Sequence, residues 1–143
     1  MEEKINQIKI VPELSNKEQQ DYEMHLDAAR NGDTHSMVLL ANDYFKGKGV
    51  IKNEKIGFDW LLKASEMNDS TALSNLGFCY YNGIGVEKNE KEAIDCLNRA
   101  ADLGNIAAHF TLGIIYKNNS HIEKSNHHLQ QSLFGGFFSQ IYL

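Results

Sequence analysis

The sequence predicts an all-α solenoid of antiparallel helix pairs, about seven helices in all, and three observations predict it. The first is a repeat. Leu40-Ala41-Asn42-Asp43-Tyr44-Phe45-Lys46-Gly47-Lys48-Gly49-Val50 recurs 36 residues later as Leu76-Gly77-Phe78-Cys79-Tyr80-Tyr81-Asn82-Gly83-Ile84-Gly85-Val86, and again as Leu112-Gly113-Ile114-Ile115-Tyr116-Lys117. One fixed period in the range of roughly 20–50 residues marks a stacked-repeat architecture. The second is helical spacing within each copy: Ala72, Leu76 and Tyr80 fall four apart and share one face. The third is punctuation. Glycine and Asx residues end each segment, and the only proline is Pro12, which leaves the rest of the chain free to form uninterrupted helices.

The chain begins with residues 1–14, a non-repeat N-terminal tail with an apolar cluster at Ile5, Ile8, Ile10 and Val11. Ser15 with Glu18 reads as a capping box opening a helix that stops at Asn31-Gly32. Met24, Ala28, Ala29 and Gly32 lie 36 before Trp60, Ala64, Ser65 and Asn68, so 15–32 is the trailing half of a repeat. Full repeats follow at 33–68 and 69–104. Each has a leading helix, a two-glycine turn and a trailing helix capped by Asn53 or Asn89. The third repeat, 105–136, has lost four residues and the glycines between its helices. Ser120 with Glu123 reads there as the cap, and Gly135-Gly136 as the end of the trailing helix. Residues 137–143 resemble the start of a fourth leading helix and are expected to be a truncated or capping segment that packs its Phe, Ile, Tyr and Leu on something.

The spacing has a packing reason. Gly77 and Gly113 let a neighbouring helix approach their backbones, which offsets the cost of about 0.5–1 kcal/mol for glycine in mid-helix. Trp60, Leu61 and Ala64, with Cys96, Leu97 and Ala100, form the facing stripe of the trailing helices. Trp60 is expected between helices.

Composition narrows the function. With 143 residues, 42% hydrophobic and 10% aromatic, the chain makes one ordered domain. Its net charge of −5 argues against nucleic acid or an anionic membrane as partner. No apolar run reaches the roughly 18 residues of a membrane span, and the polar start shows no secretory signal, so a cytoplasmic location is expected. Cys79 and Cys96 lie in the two helices of one repeat. A bridge between them is conceivable, but reduced thiols are the expectation.

The pattern A-x-x-x-L-G-x-x-Y-x-x-G-x-G-V, followed by a stripe ending Lys63-Ala64-Ser65-Glu66 or Arg99-Ala100-Ala101-Asp102, resembles the Sel-one-like repeat (SLR) family, a cousin of the tetratricopeptide repeat. The resemblance covers residues 20–136. It implies a right-handed α-superhelix acting as an adaptor or protein-binding platform in regulation, host interaction or immunity to toxins, with no shared catalytic residues and no cofactor. Some cysteine-rich members are described as β-lactamase-like hydrolases. This chain lacks their repeated cysteine pairs and any Ser-x-x-Lys motif. A self-associating structural protein, a homo-oligomer joined through the apolar C-terminal end, is a third reading.

By similarity to tetratricopeptide repeats, the leading helices line a concave groove for a protein or peptide partner. The positions facing it are His35, Val38, Asn42 and Phe45, then Thr71, Ser74, Phe78 and Tyr81, then Ala107, Phe110, Ile114 and Lys117. Aromatic anchors beside a few polar groups suit a peptide or helix. The competing reading is that Phe78 and Phe110 only extend the core between repeats. His121, His127 and His128 read as surface histidines and not a metal site, because no cysteine or suitably spaced carboxylate accompanies them. Gly83-x-Gly85 follows a helix and lacks a third glycine, so it is not a dinucleotide loop.

Overall fold

A computed structural model describes residues 16–141, with side-chain surroundings for residues 17–134. The N-terminal apolar cluster, Ser15 and the side-chain packing of the last residues lie outside the described residues. Seven α-helices and no strand are found among those described. They are α1 (Asn16–Arg30), α2 (Thr34–Lys46), α3 (Glu54–Glu66), α4 (Ser70–Asn82), α5 (Glu90–Asp102), α6 (Ile106–Asn118) and α7 (Ile122–Ile141). Each helix packs on its successor, and α4 also touches α6. The fold is an all-α solenoid. Its leading helices are α2, α4 and α6, and its trailing helices are α3, α5 and α7.

Asx residues start most of these helices. The side chains of Asp33, Asn53, Asp69, Asn89 and Asn105 accept from the backbone amides of Ser36, Ile56, Ala72, Glu92 and Ala108. Each cap satisfies an otherwise orphan amide and contributes about 1 kcal/mol. A left-handed residue stands before the cap wherever a trailing helix hands over to a leading one. Gly32, Asn68 and Gly104 take φ of 92°, 58° and 87° ahead of Asp33, Asp69 and Asn105. That pairing explains one departure from expectation: Gly135-Gly136 does not end α7, which runs through to Ile141. The residue after Gly136 is Phe137, which has no side chain able to cap a new helix, so the backbone keeps its helical hydrogen bonds.

A second departure concerns Ser120. It is not an N-cap. It takes the left-handed conformation at φ 63°. The capping position belongs to His121, whose carbonyl accepts from the Ser125 amide at 3.0 Å. The amides of Asn53, Asn89 and His121 bond the carbonyls of Tyr44, Tyr80 and Tyr116 at 2.9, 2.8 and 2.8 Å. The same tie therefore closes all three helix pairs, although the third turn is four residues shorter.

The core is leucine and alanine. Leu40, Leu61, Leu73, Leu76, Leu97 and Leu112 are buried, with Ala64, Ala72, Ala100 and Ala108 between them. Helices cross at small residues. A β-carbon on Gly77 would sit 2.5 Å from Leu97 Cγ, and one on Gly113 would sit 2.7 Å from Leu129 Cγ. In the first repeat Ala41 replaces the glycine, and the trailing helix compensates with Gly57, against Phe45. Trp60 does not fill the core as expected. It is half-buried, with Lys63 Nζ 5.2 Å from the ring centre, and the buried aromatic is Phe58. Cys96 occupies the equivalent position of the next repeat, and the Trp60 indole packs only partly against the first core cluster. Cys79 and Cys96 are both free thiols, so no bridge joins them.

Candidate partner-binding face

The leading helices present apolar side chains that the core does not use. Phe78 on α4 is 52% exposed, and Phe110 and Ile114 on α6 are 53% and 40% exposed. These are large apolar groups held in water on rigid helices, so Phe78 and Phe110 are not core extensions between repeats. Beside Phe78 a cleft of about 280 Å³ opens, lined by Asn42, Phe45, Glu54, Asn75, Phe78, Cys79 and Ile84. α2 and α4 form its walls, and α3 and the α4–α5 turn contribute Glu54 and Ile84.

The residues expected on this face divide into four groups. Asn42, Phe45 and Phe78 meet at the cleft. Phe110, Ile114 and Lys117 are exposed along α6, as are His35, Thr71 and Ala107 on their own helices. Val38 and Ser74 are not on the face: they are 5% and 8% exposed. Both sit on leading helices that another leading helix follows, and that flank is covered. Phe110 occupies the same repeat position on α6, after which no leading helix comes among the described residues. Tyr81 is partly committed to structure. It packs on the second core cluster, and its hydroxyl accepts from Asn118 Nδ2 at 3.3 Å.

Asn75, Glu54, Cys79 and Ile84 were not expected in the cleft. Glu54, Cys79 and Ile84 come from outside the groove register: Glu54 from the start of α3, Cys79 from the buried side of α4 and Ile84 from the α4–α5 turn. Burial, with the nearby Glu54 carboxylate, pushes the Cys79 thiol up to about 11, so it stays protonated and apolar at neutral pH. Glu54 already lies 3.7 Å from Lys52 Nζ.

A separate cluster lies on the last helix pair. His109 Nδ1 and His128 Nδ1 are 3.1 Å apart, and His128 stacks on Tyr116 with ring centres 5.5 Å apart. Among the described residues no three potential metal ligands converge, and no helix is long and apolar enough to cross a membrane. On α7, Ile122, Leu133 and Phe134 are exposed.

The Sel1-repeat family model matches residues 34–69 and 70–105, just over half of the sequence. The chain belongs to the Sel1-repeat family. Among curated proteins no significant match was found. Three solved structures are similar. One is c5321, a protective antigen of uropathogenic Escherichia coli with an SLR fold, at 28% identity and TM-score 0.72 over 80% of this chain and 26% of that one. Another is a Sel1 repeat protein from Oxalobacter formigenes, at 29% identity and TM-score 0.72 over 82% and 49%. The third is Helicobacter pylori cysteine rich protein B, at 31% identity and TM-score 0.61 over 66% and 70%. The chain thus spans about a quarter of the first relative's length and about half of the second's. Sel1 repeats generally mediate contacts between proteins.

Proposed function

We propose that this Sel1-repeat chain is a non-enzymatic interaction module, of adaptor or regulator type, that takes a peptide segment of a partner protein on its leading-helix face. The observation that carries the reading is the exposure of Phe78 and Phe110 on rigid helices, with a cleft beside Phe78. Exposed aromatic anchors next to a preformed concavity are what interface hot spots require. The hydrolase alternative gains no support from the cysteines. Burial pushes both thiols up to about 11, which leaves little thiolate for nucleophilic attack at neutral pH.

The test is to pan a random dodecapeptide phage library on the immobilised chain. Peptides should be enriched whose binding Phe78→Asp abolishes, while circular dichroism and melting midpoint stay unchanged. Binders indifferent to Phe78→Asp, or no binders at all, would defeat the reading. The self-association alternative rests on Ile122, Leu133 and Phe134 of α7, and sedimentation velocity separates it: concentration-dependent dimers that Leu133→Glu dissociates would favour it.

A further inference from the structure

We infer that His109 and His128 form a two-histidine site for a first-row transition metal ion, of the zinc, nickel or copper class, held between α6 and α7. The site lies apart from the cleft beside Phe78 and stands or falls independently of the peptide reading.

The distance between the rings carries the argument. Their Nδ1 atoms are 3.1 Å apart. With metal–nitrogen bonds of about 2.0–2.1 Å, that separation subtends about 100° at an ion bound to both. Such an angle lies between the right angle of square-planar copper or nickel and the tetrahedral angle of zinc. With no ion bound, one ring donates to the other. Turning the two rings about their Cβ–Cγ bonds aims both lone pairs at one point beside the line joining them. That torsion is soft in histidine, so no backbone shift is needed.

The surroundings support the pair. The two ligands come from different helices, and the packing of α6 on α7 holds their backbones in place. His128 lies nearly parallel to Tyr116 with ring centres 5.5 Å apart, and His127 stands edge-on to it at 5.4 Å. Both ligand rings are half-buried, so an ion can enter from solvent and keep part of its water. In the second repeat Leu73 and Cys96 fill the same slot, which holds no imidazole there. Imidazole nitrogen suits zinc, nickel and copper, whereas magnesium and calcium take oxygen ligands. Two protein ligands leave the remaining positions to water. The histidines of α7 have no partner near them in sequence, and His109 reaches His128 only through the fold.

The experiment uses the whole, untagged chain at pH 7.5, where imidazole takes the neutral form that binds metals. Isothermal titration should show one Zn²⁺ or Ni²⁺ bound per chain, tighter binding of Cu²⁺, and none of Mg²⁺ or Ca²⁺. Nitrogen-15 NMR of the imidazole rings should show Zn²⁺ moving Nδ1 of His109 and Nδ1 of His128 together, and this arm leaves the protein unaltered. His109→Leu and His128→Leu, which place in the slot a residue like Leu73, should each weaken binding by more than about tenfold, the least that loss of a ligand costs. No saturable binding of Zn²⁺, Ni²⁺ or Cu²⁺ below about 1 mM overturns the site. Zn²⁺ shifts at His121 and His127 without His109 also overturn it, because they mark an adventitious ion on the surface of α7 only. Undiminished binding in both leucine variants overturns it as well.

Discussion

The second and third repeats run in parallel through their leading helices and part at the turn. Leu76 and Leu112, Gly77 and Gly113, and Tyr80 and Tyr116 occupy matching places, and both pairs are tied by the tyrosine carbonyl. In the second repeat the turn then folds back on the previous trailing helix. Gly85, at φ 69°, lies against the Glu54 carbonyl and Phe58. In the third repeat that loop is missing. Asn119 reaches the previous trailing helix by a side chain instead, donating to Glu90 at 2.5 Å on an exposed surface. The slot between the helices differs as well. Leu73 and Cys96 are buried in the second repeat, whereas His109 and His128 share the equivalent slot, half-buried, in the third. The period thus secures each helix pair, and the turn secures the coupling between pairs. The first repeat has both as well, with Gly49 packed against the Glu18 carbonyl and Tyr22, so among the three pairs the third alone lacks the turn.

The sharpest way to break this difference is Gly85→Ala. A β-carbon there would collide with the Glu54 carbonyl and lie 2.9 Å from Phe58 Cβ, at a φ that L-residues rarely adopt. Backbone blocks the space, so no side chain can yield. The loss should be about 3 kcal/mol or more, from left-handed strain and displaced packing together. Chemical denaturation measures it. A loss under about 1 kcal/mol would mean that the turn does not couple the repeats.

A middle-sized effect should come from the paired substitutions Gly77→Ala and Gly113→Ala. Both place a methyl group against a leucine of the facing helix, Leu97 at 2.5 Å and Leu129 at 2.7 Å. Alanine gains about 1 kcal/mol of helix propensity over glycine in each case. Leu97 is fully buried and cannot move, so overpacking of roughly 1–3 kcal/mol should outweigh the gain. Leu129 is half-exposed and can swing outward, so Gly113→Ala should be close to neutral. Equal losses at the two sites would show that the third helix pair is as tightly packed as the second.

Much of the fold was legible because its signals are local and repeated. The 36-residue spacing, the Asx caps and the glycine turns each reflect a backbone requirement that recurs, so every copy checks the others. What escaped depends on partners across the stack. Phe58 is buried and Trp60 only half so, because which aromatic of α3 faces the core is set by the helices packed on it and not by the repeat register alone. Gly57 compensates for Ala41, and the signal was present: a glycine on the trailing helix where the leading helix had lost its own. Ser120 was mistaken for a cap because its residue type suits both a cap and a left-handed turn. On the candidate site, Phe78 and Phe110 came from helical register alone. Val38 and Ser74 failed because register cannot say which flank the next repeat covers, and Asn75 and Glu54 were missed because the cleft is a tertiary feature.

The smallest effect should be a pH dependence confined to the third helix pair. The hydrogen bond between His109 Nδ1 and His128 Nδ1 needs a proton on only one of the facing nitrogens. One added proton can still be shared, because an imidazolium donates to a neutral ring. A second leaves two donors facing each other at 3.1 Å. Burial first, then His109 and His127, hold His128 below the usual histidine value of 6.5. The other groups around it are Tyr116, stacked on its ring, with Lys124 over the tyrosine and His121 at its edge. The folded chain therefore takes up protons less readily than the unfolded chain. This contribution to stability is complete above about pH 6.5 and shrinks as pH falls through and below it. Hydrogen exchange at pH 7.5 and 5.5, corrected for intrinsic rates, should show α6 and α7 losing protection on acidification while α4 and α5 keep theirs. His128→Leu should flatten the response by restoring an apolar residue to the slot. If acid loosens both helix pairs alike, or still loosens α6 and α7 in His128→Leu, the histidine pair is not the cause.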